Sequence, residues 1–118
     1  MAWNIEATDE FQDWFAGLNS DERVSIASKI DVLEEVGPSL GRPYVDTVKG
    51  SKFSHMKELR VQHGGKPYRI MFAFDPRQTG ILLIGGRKGA KNWYEKMIAL
   101  ADEIYTSYLE ELKKEGLT

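Results

Sequence analysis

Cysteine is absent from the 118-residue chain, and with it go disulfides, thiolate catalysis and the usual cysteine-containing zinc sites. Two histidines remain as possible ligands, His55 and His63. Neither has a carboxylate at ligand spacing on a predicted helix or strand, so no metal centre is expected. Long apolar runs are missing as well. No stretch is long enough to cross a bilayer, and Met1 to Phe15 alternate acidic and aromatic residues instead of placing an apolar run behind a basic segment. Neither a membrane segment nor a signal peptide is expected, and a reduced cytoplasm fits. Repeats and low-complexity tracts are also lacking. Gly85, Gly86 and Gly89 match no Walker or dinucleotide fingerprint, so no small-molecule cofactor is expected.

What is present suffices for one folded domain over residues 1–118. Hydrophobic residues make up 42% of the chain and include thirteen aromatics, enough apolar surface to offset the entropy of ordering one core of this size. The net charge of −2 hides a strong segregation along the chain. Residues 1–36 carry −7, residues 37–91 carry +8 and residues 92–118 carry −3. Since screening acts over roughly 10 Å, a local basic surface matters more to an anionic partner than the total does.

Periodicity divides the chain into elements. Ala2 to Glu6 reads as a short strand. Thr8 is an N-cap, Asp9 and Glu10 complement the helix dipole, and Phe11, Trp14, Phe15 and Leu18 form one helical face. Ser20 is read as the cap of a second helix with Val24, Ala27, Ile30 and Leu33 as its apolar stripe, stopped at Gly37-Pro38. A long loop over 40–54 with room for a short strand follows. Met56 to Gln62 and Pro67 to Phe74 then flank Gly64-Gly65, the composition of a two-residue hairpin turn, and a second turn over 75–80 leads into Ile81-Leu82-Leu83-Ile84. Asn92 is read as the cap of a long C-terminal helix with Met97, Ala101, Ile104, Tyr108 and Leu112 at helical spacing.

The hairpin makes a sharp prediction. With Gly64 and Gly65 at the turn, Val61 faces Tyr68, Leu59 faces Ile70, and Arg60 faces Arg69. The apolar pairs share one face. The arginines meet on the other, where like charges opposite one another are unfavourable unless something anionic lies between them. Glu58 or Asp46 is one such partner, and solvent is another outlet; a phosphodiester is the functional alternative, because guanidinium grips phosphate oxygens in pairs and ammonium adds point charge. Lys57, His55, Arg87, Lys88 and Lys91 are expected to converge on the same neighbourhood. Trp93 and Tyr94 open the last helix beside it, Trp93 as a core residue first and either as a platform for an unstacked base.

In order and combination, Lys57-Glu58-Leu59-Arg60, Tyr68-Arg69-Ile70 and Gly86-Arg87-Lys88 resemble the RelE/ParE toxin superfamily, in its HigB-like, phage Gp49-like branch. The resemblance covers nearly the whole chain. It implies an α+β fold of order β-α-α-β-β-β-α, a small mainly antiparallel sheet with a helical hairpin on one face and a long C-terminal helix. It implies the toxin of a type II toxin-antitoxin system, a metal-independent, ribosome-dependent mRNA endonuclease that inhibits translation. Its partners would be mRNA on the ribosome and a cognate antitoxin, often of helix-turn-helix type. Arg60 and Arg69 would hold the scissile phosphate with support from Lys88, while Lys57, Lys91, Tyr94 and His55 would move or orient protons. The alternatives within the superfamily are a ParE-like inhibitor of DNA gyrase acting through the helical hairpin, and a catalytically inactive relative that binds RNA or antitoxin.

Overall fold

The computed structural model describes residues 2–117. Its elements run β1 (Ile5–Ala7), α1 (Asp9–Ala16), α2 (Ser20–Val36), a 3-10 turn (Gly37–Ser39), β2 (Val45–Thr47), β3 (Lys57–His63), β4 (Lys66–Phe74), β5 (Gly80–Arg87) and α3 (Trp93–Lys114). The strands form one sheet in the order β1-β5-β4-β3-β2, antiparallel except where β1 runs parallel to β5. That is the α+β architecture the resemblance implied.

Local chemistry accounts for the helix boundaries. The Thr8 hydroxyl accepts from the Phe11 amide and donates to the Leu83 carbonyl, so one side chain caps α1 and ties it to β5. Helix α2 is capped one residue earlier than predicted. Asn19, not Ser20, accepts from the Glu22 amide, and the Glu22 carboxylate accepts in return from the Asn19 amide, a reciprocal capping box. Its buried stripe is also rotated from the predicted one. Ile26 and Leu33 are buried with Ile30 packed beside them, whereas Val24 points to solvent at 68% exposure. Asn92 is no side-chain cap. It adopts a left-handed conformation, φ 79°, that turns the chain into α3 without a capping hydrogen bond.

The hairpin register is the predicted one. Gly64 and Gly65 both have positive φ, 58° and 76°, as a two-residue turn matched to the strand twist requires. Arg60 stands opposite Arg69, Leu59 opposite Ile70 and Val61 opposite Tyr68. Leu59, Val61, Tyr68, Ile70 and Phe72 pack with Phe11, Ile26 and Leu33 beneath the helical hairpin. Each fully buried side chain of this kind contributes about 1.5–3 kcal/mol.

The other face carries a second core. Met71, Ala73, Ile81 and Leu83 pack under Ile98, Ala101, Ile104 and Tyr105 of α3. A bulge between Met71 and Phe72 shifts the β4–β5 pairing by one residue, so that Ile84 stands opposite Met71 and packs on this face beside Leu83. Gly85 and Gly86 explain themselves here: a Cβ on Gly85 would stand 2.2 Å from the Trp14 ring, and one on Gly86 2.6 Å from Met97. They admit core side chains at the end of β5. Helix α3 therefore covers only part of the sheet face that bears the arginines, and the remainder is the site.

Candidate functional site

Arg60 and Arg69 project from near the middle of β3 and β4 on the α3 side of the sheet. They are not equivalent. The Arg60 side chain is 37% exposed and that of Arg69 only 7%. With Pro43, Val61 and Gln62 they line an open cleft of about 190 Å³. Its size and its guanidinium walls suit one phosphate group.

Between the arginines sits Glu58, two residues before Arg60 on the same face of β3 and itself buried. One carboxylate oxygen lies 3.9 Å from Arg60 Nε and the other 3.7 Å from Arg69 Nε. The tighter link runs through α3: Arg69 Nε donates to the Tyr94 hydroxyl at 3.2 Å, and that hydroxyl donates to Glu58 at 2.7 Å. Arg69 Nη1 also donates to the Tyr68 carbonyl at 2.9 Å. Buried charges are tolerated when paired and hydrogen-bonded, and this network meets that condition. The expected cost of facing arginines is thus offset internally. Burial, reinforced by the bond to Glu58, raises the Tyr94 phenol above its ordinary value although Arg69 pulls the other way. Tyr94 therefore stays protonated at neutral pH and works as a donor.

Lys88 joins this group. Its backbone amide donates to the Pro67 carbonyl at 2.8 Å, and its ammonium lies 5.6 Å from the centre of the Tyr94 ring. Lys91 is exposed on the loop before α3, where it lines a shallow depression with Lys88, Trp93 and Tyr94. Trp93 and Tyr94 meet edge to face, and Trp93 packs against Gly86 and Gly89 as a core residue. Among the described residues, no group of three or more His, Asp or Glu side chains is placed to hold a metal ion.

Lys57 and His55 do not join the cluster. Strand alternation sends Lys57 to the opposite face of β3, where its ammonium donates to the Pro38 carbonyl at 3.0 Å. His55 contacts the Tyr105 hydroxyl at 3.3 Å and packs edge-on against Phe53 and Tyr105. The two line a separate cleft with Phe74, Asp75 and Leu109. Arg87 is likewise on the other face, paired with Tyr68. The structure therefore gathers Arg60, Arg69, Tyr94 and Lys88, places Lys91 in the depression beside Lys88 and Tyr94, and carries Lys57, His55 and Arg87 elsewhere. Sequence reasoning treated Glu58 only as a possible neutraliser. Its shared parity with Arg60 already placed it on the arginine face, but the link through Tyr94 needs the packing of α3.

Known proteins of similar sequence and fold point to one family. Residues 13–106 match the family described as phage derived protein Gp49-like. A protein of Mycobacterium tuberculosis named as toxin HigB3 is 46% identical over 102 residues, covering 85% of this chain and 88% of its own length. A second, named as toxin HigB2 of the same organism, is 38% identical over 116 residues; the match covers 96% of this chain but 57% of that protein. Among solved structures, an arginine-to-alanine double mutant of Escherichia coli toxin RelE in the free state shares the fold, with a TM-score of 0.55 over 95% of this chain and 99% of that one at 14% identity.

Proposed function

The chain belongs to the phage-derived Gp49-like family, in the HigB-like branch of the RelE/ParE toxins, and from that premise we propose that it is the toxin of a toxin-antitoxin pair and a metal-independent endoribonuclease acting on mRNA in the ribosome. The observation that carries the proposal is the facing pair Arg60 and Arg69 at an open, phosphate-sized cleft, with Lys88 and Tyr94 alongside.

The reaction suited to such a site is transesterification within the RNA. The ribose 2′ oxygen bonds to the adjacent phosphorus and the bond to the 5′ oxygen breaks. The 2′-hydroxyl loses a proton and the 5′ oxygen gains one, leaving a 2′,3′-cyclic phosphate and a 5′-hydroxyl end. Negative charge on the phosphoryl oxygens grows in the transition state, and preorganised donors stabilise it; one such donor is worth about 10²–10³ in rate. Arg69, held by Tyr94 and the Tyr68 carbonyl, is the fixed donor. Arg60, more exposed, closes on the phosphate from the side open to RNA. Lys88 adds positive charge, Tyr94 fixes Arg69, and Lys91, exposed beside Tyr94, is the cation free to protonate the leaving oxygen. Positioning of the 2′-hydroxyl in line is the ribosome's part, which accounts for a cleft this shallow.

The partner is a cognate antitoxin that keeps the cell alive when the two are expressed together, and the toxin works in the cytoplasm. Expression in a host followed by mapping of mRNA 5′ ends tests the reading. New ends inside translated messages, lost when translation is blocked, are expected. Intact mRNA together with gyrase-dependent DNA breaks would contradict it and select the ParE-like mode.

A further inference from the structure

The placement of Glu58 has a consequence for how tightly the cleft holds RNA. Two guanidinium charges against one carboxylate leave the trio with a single net positive charge, equal and opposite to one phosphodiester. The carboxylate achieves this without consuming the arginines. Its distances to the two Nε atoms, 3.9 and 3.7 Å, are too long for direct hydrogen bonds, and its close donor is the Tyr94 hydroxyl. The outer N–H groups of Arg60, which is 37% exposed, remain free for a ligand.

Resting on the endoribonuclease reading, we propose that Glu58 is a built-in anionic counterweight: it holds Arg69 and Tyr94 in place through the shared hydroxyl and at the same time lowers the affinity of the arginine pair for the ground-state phosphodiester. Catalysis gains only from interactions that strengthen in the transition state. A site with two uncompensated guanidinium groups would bind every phosphate of a single strand tightly, on or off the ribosome. With Glu58 present the unreacted monoanion is met by a matched charge. The additional negative charge that develops during attack strengthens the hydrogen bonds from both guanidinium groups and is met further by Lys88, beside Tyr94. Removing the carboxylate charge should thus strengthen binding of RNA, the reverse of what loss of a merely structural ion pair does.

The test titrates a fluorescent 2′-O-methyl oligoribonucleotide, which cannot undergo the reaction, onto the isolated full-length protein at several salt concentrations. Glu58→Gln retains a hydrogen-bond acceptor for Tyr94 and is expected to bind at least about fivefold tighter than wild type at low salt, with the log–log salt slope steeper by roughly 0.7, one more phosphate's worth for a single strand. Glu58→Asp keeps the charge and is expected to retain the wild-type slope. Equal or weaker binding by a folded Glu58→Gln overturns the proposal. Should that variant not fold, the Glu58 side-chain carboxyl carbon in the NMR spectrum of wild type serves instead: it is expected to shift as oligonucleotide saturates the cleft, and an unmoved signal overturns the proposal. The wider reading fails separately. If oligonucleotide binding is unaffected by Arg60→Gln combined with Arg69→Gln, the arginine pair is not the phosphate site, whatever Glu58 does.

Discussion

The two faces of the β3–β4 hairpin share one backbone and one register, yet they are stabilised in different ways. Toward the helical hairpin, Leu59, Val61, Tyr68, Ile70 and Phe72 form a continuous, mainly apolar surface that packs against the helices, with the Tyr68 hydroxyl donating to the Glu22 carboxylate of α2. Toward α3 the face divides: Met71 and Ala73 lie in a second core, while Glu58, Arg60 and Arg69 form a charged network closed by Tyr94. The difference teaches how a chain with excess negative charge presents a cationic site. The apolar face supplies stability, so the opposite face can hold like charges on facing positions and keep one of them within reach of solvent.

Substitutions on each face should break this division in different observables. The largest effect on stability is expected from Leu59→Ala, which removes a fully buried side chain and should cost about 2–5 kcal/mol in chemical denaturation while any surviving folded protein keeps its RNA cleavage. Arg60→Ala should do the opposite. Loss of one donor should reduce cleavage by about 10²-fold, near 2.7 kcal/mol of barrier, with the denaturation midpoint close to wild type because Arg60 is more than one-third exposed. Next comes an alkaline limit set by α3. Burial pushes the phenols of Tyr105 and Tyr108 up to about 12. Folding therefore favours their neutral forms, and the stability they contribute is complete below the unfolded value near 10 and lost as pH rises from 10 toward 12. Thermal melts across that range should show the fall, and Tyr105→Phe should flatten it. The smallest effects sharpen the helix boundaries. Asn19→Ala should cost about 1 kcal/mol through the capping box, whereas Asn92→Ala loses no side-chain cap, so its cost is limited to placing alanine at φ 79°. Asn92→Gly, which relieves that strain, should be neutral or slightly stabilising in the same assay.

The hairpin was legible because two short-range facts determine it. A two-residue Gly64-Gly65 turn sets the pairing, and strict alternation sets the faces, so Arg60 opposite Arg69 follows without tertiary information. The same alternation separates Lys57 from Arg60, since Lys57 shares parity with Leu59 and Val61. Grouping basic residues by nearness along the chain overrode that signal. Asn19 was legible too, as the first residue of Asn19-Ser20-Asp21-Glu22, a capping box that the serine next to it obscured. Other features were not legible. Tyr94 reaches Glu58 only because α3 packs across β4 and β5, and the parallel pairing of β1 with β5 joins residues more than seventy positions apart. Contacts of that range depend on how whole elements dock, and local periodicity carries no record of it.

The central claim is that the paired arginines hold the phosphate that is cut. It is tested most directly by inducing the combined variant Arg60→Gln and Arg69→Gln in a host without antitoxin, with circular dichroism confirming the fold and mRNA 5′ ends mapped beside wild type. The account predicts that wild type arrests growth and generates new mRNA ends and that the folded variant does neither. Growth arrest with unchanged cleavage ends in the folded variant would contradict it.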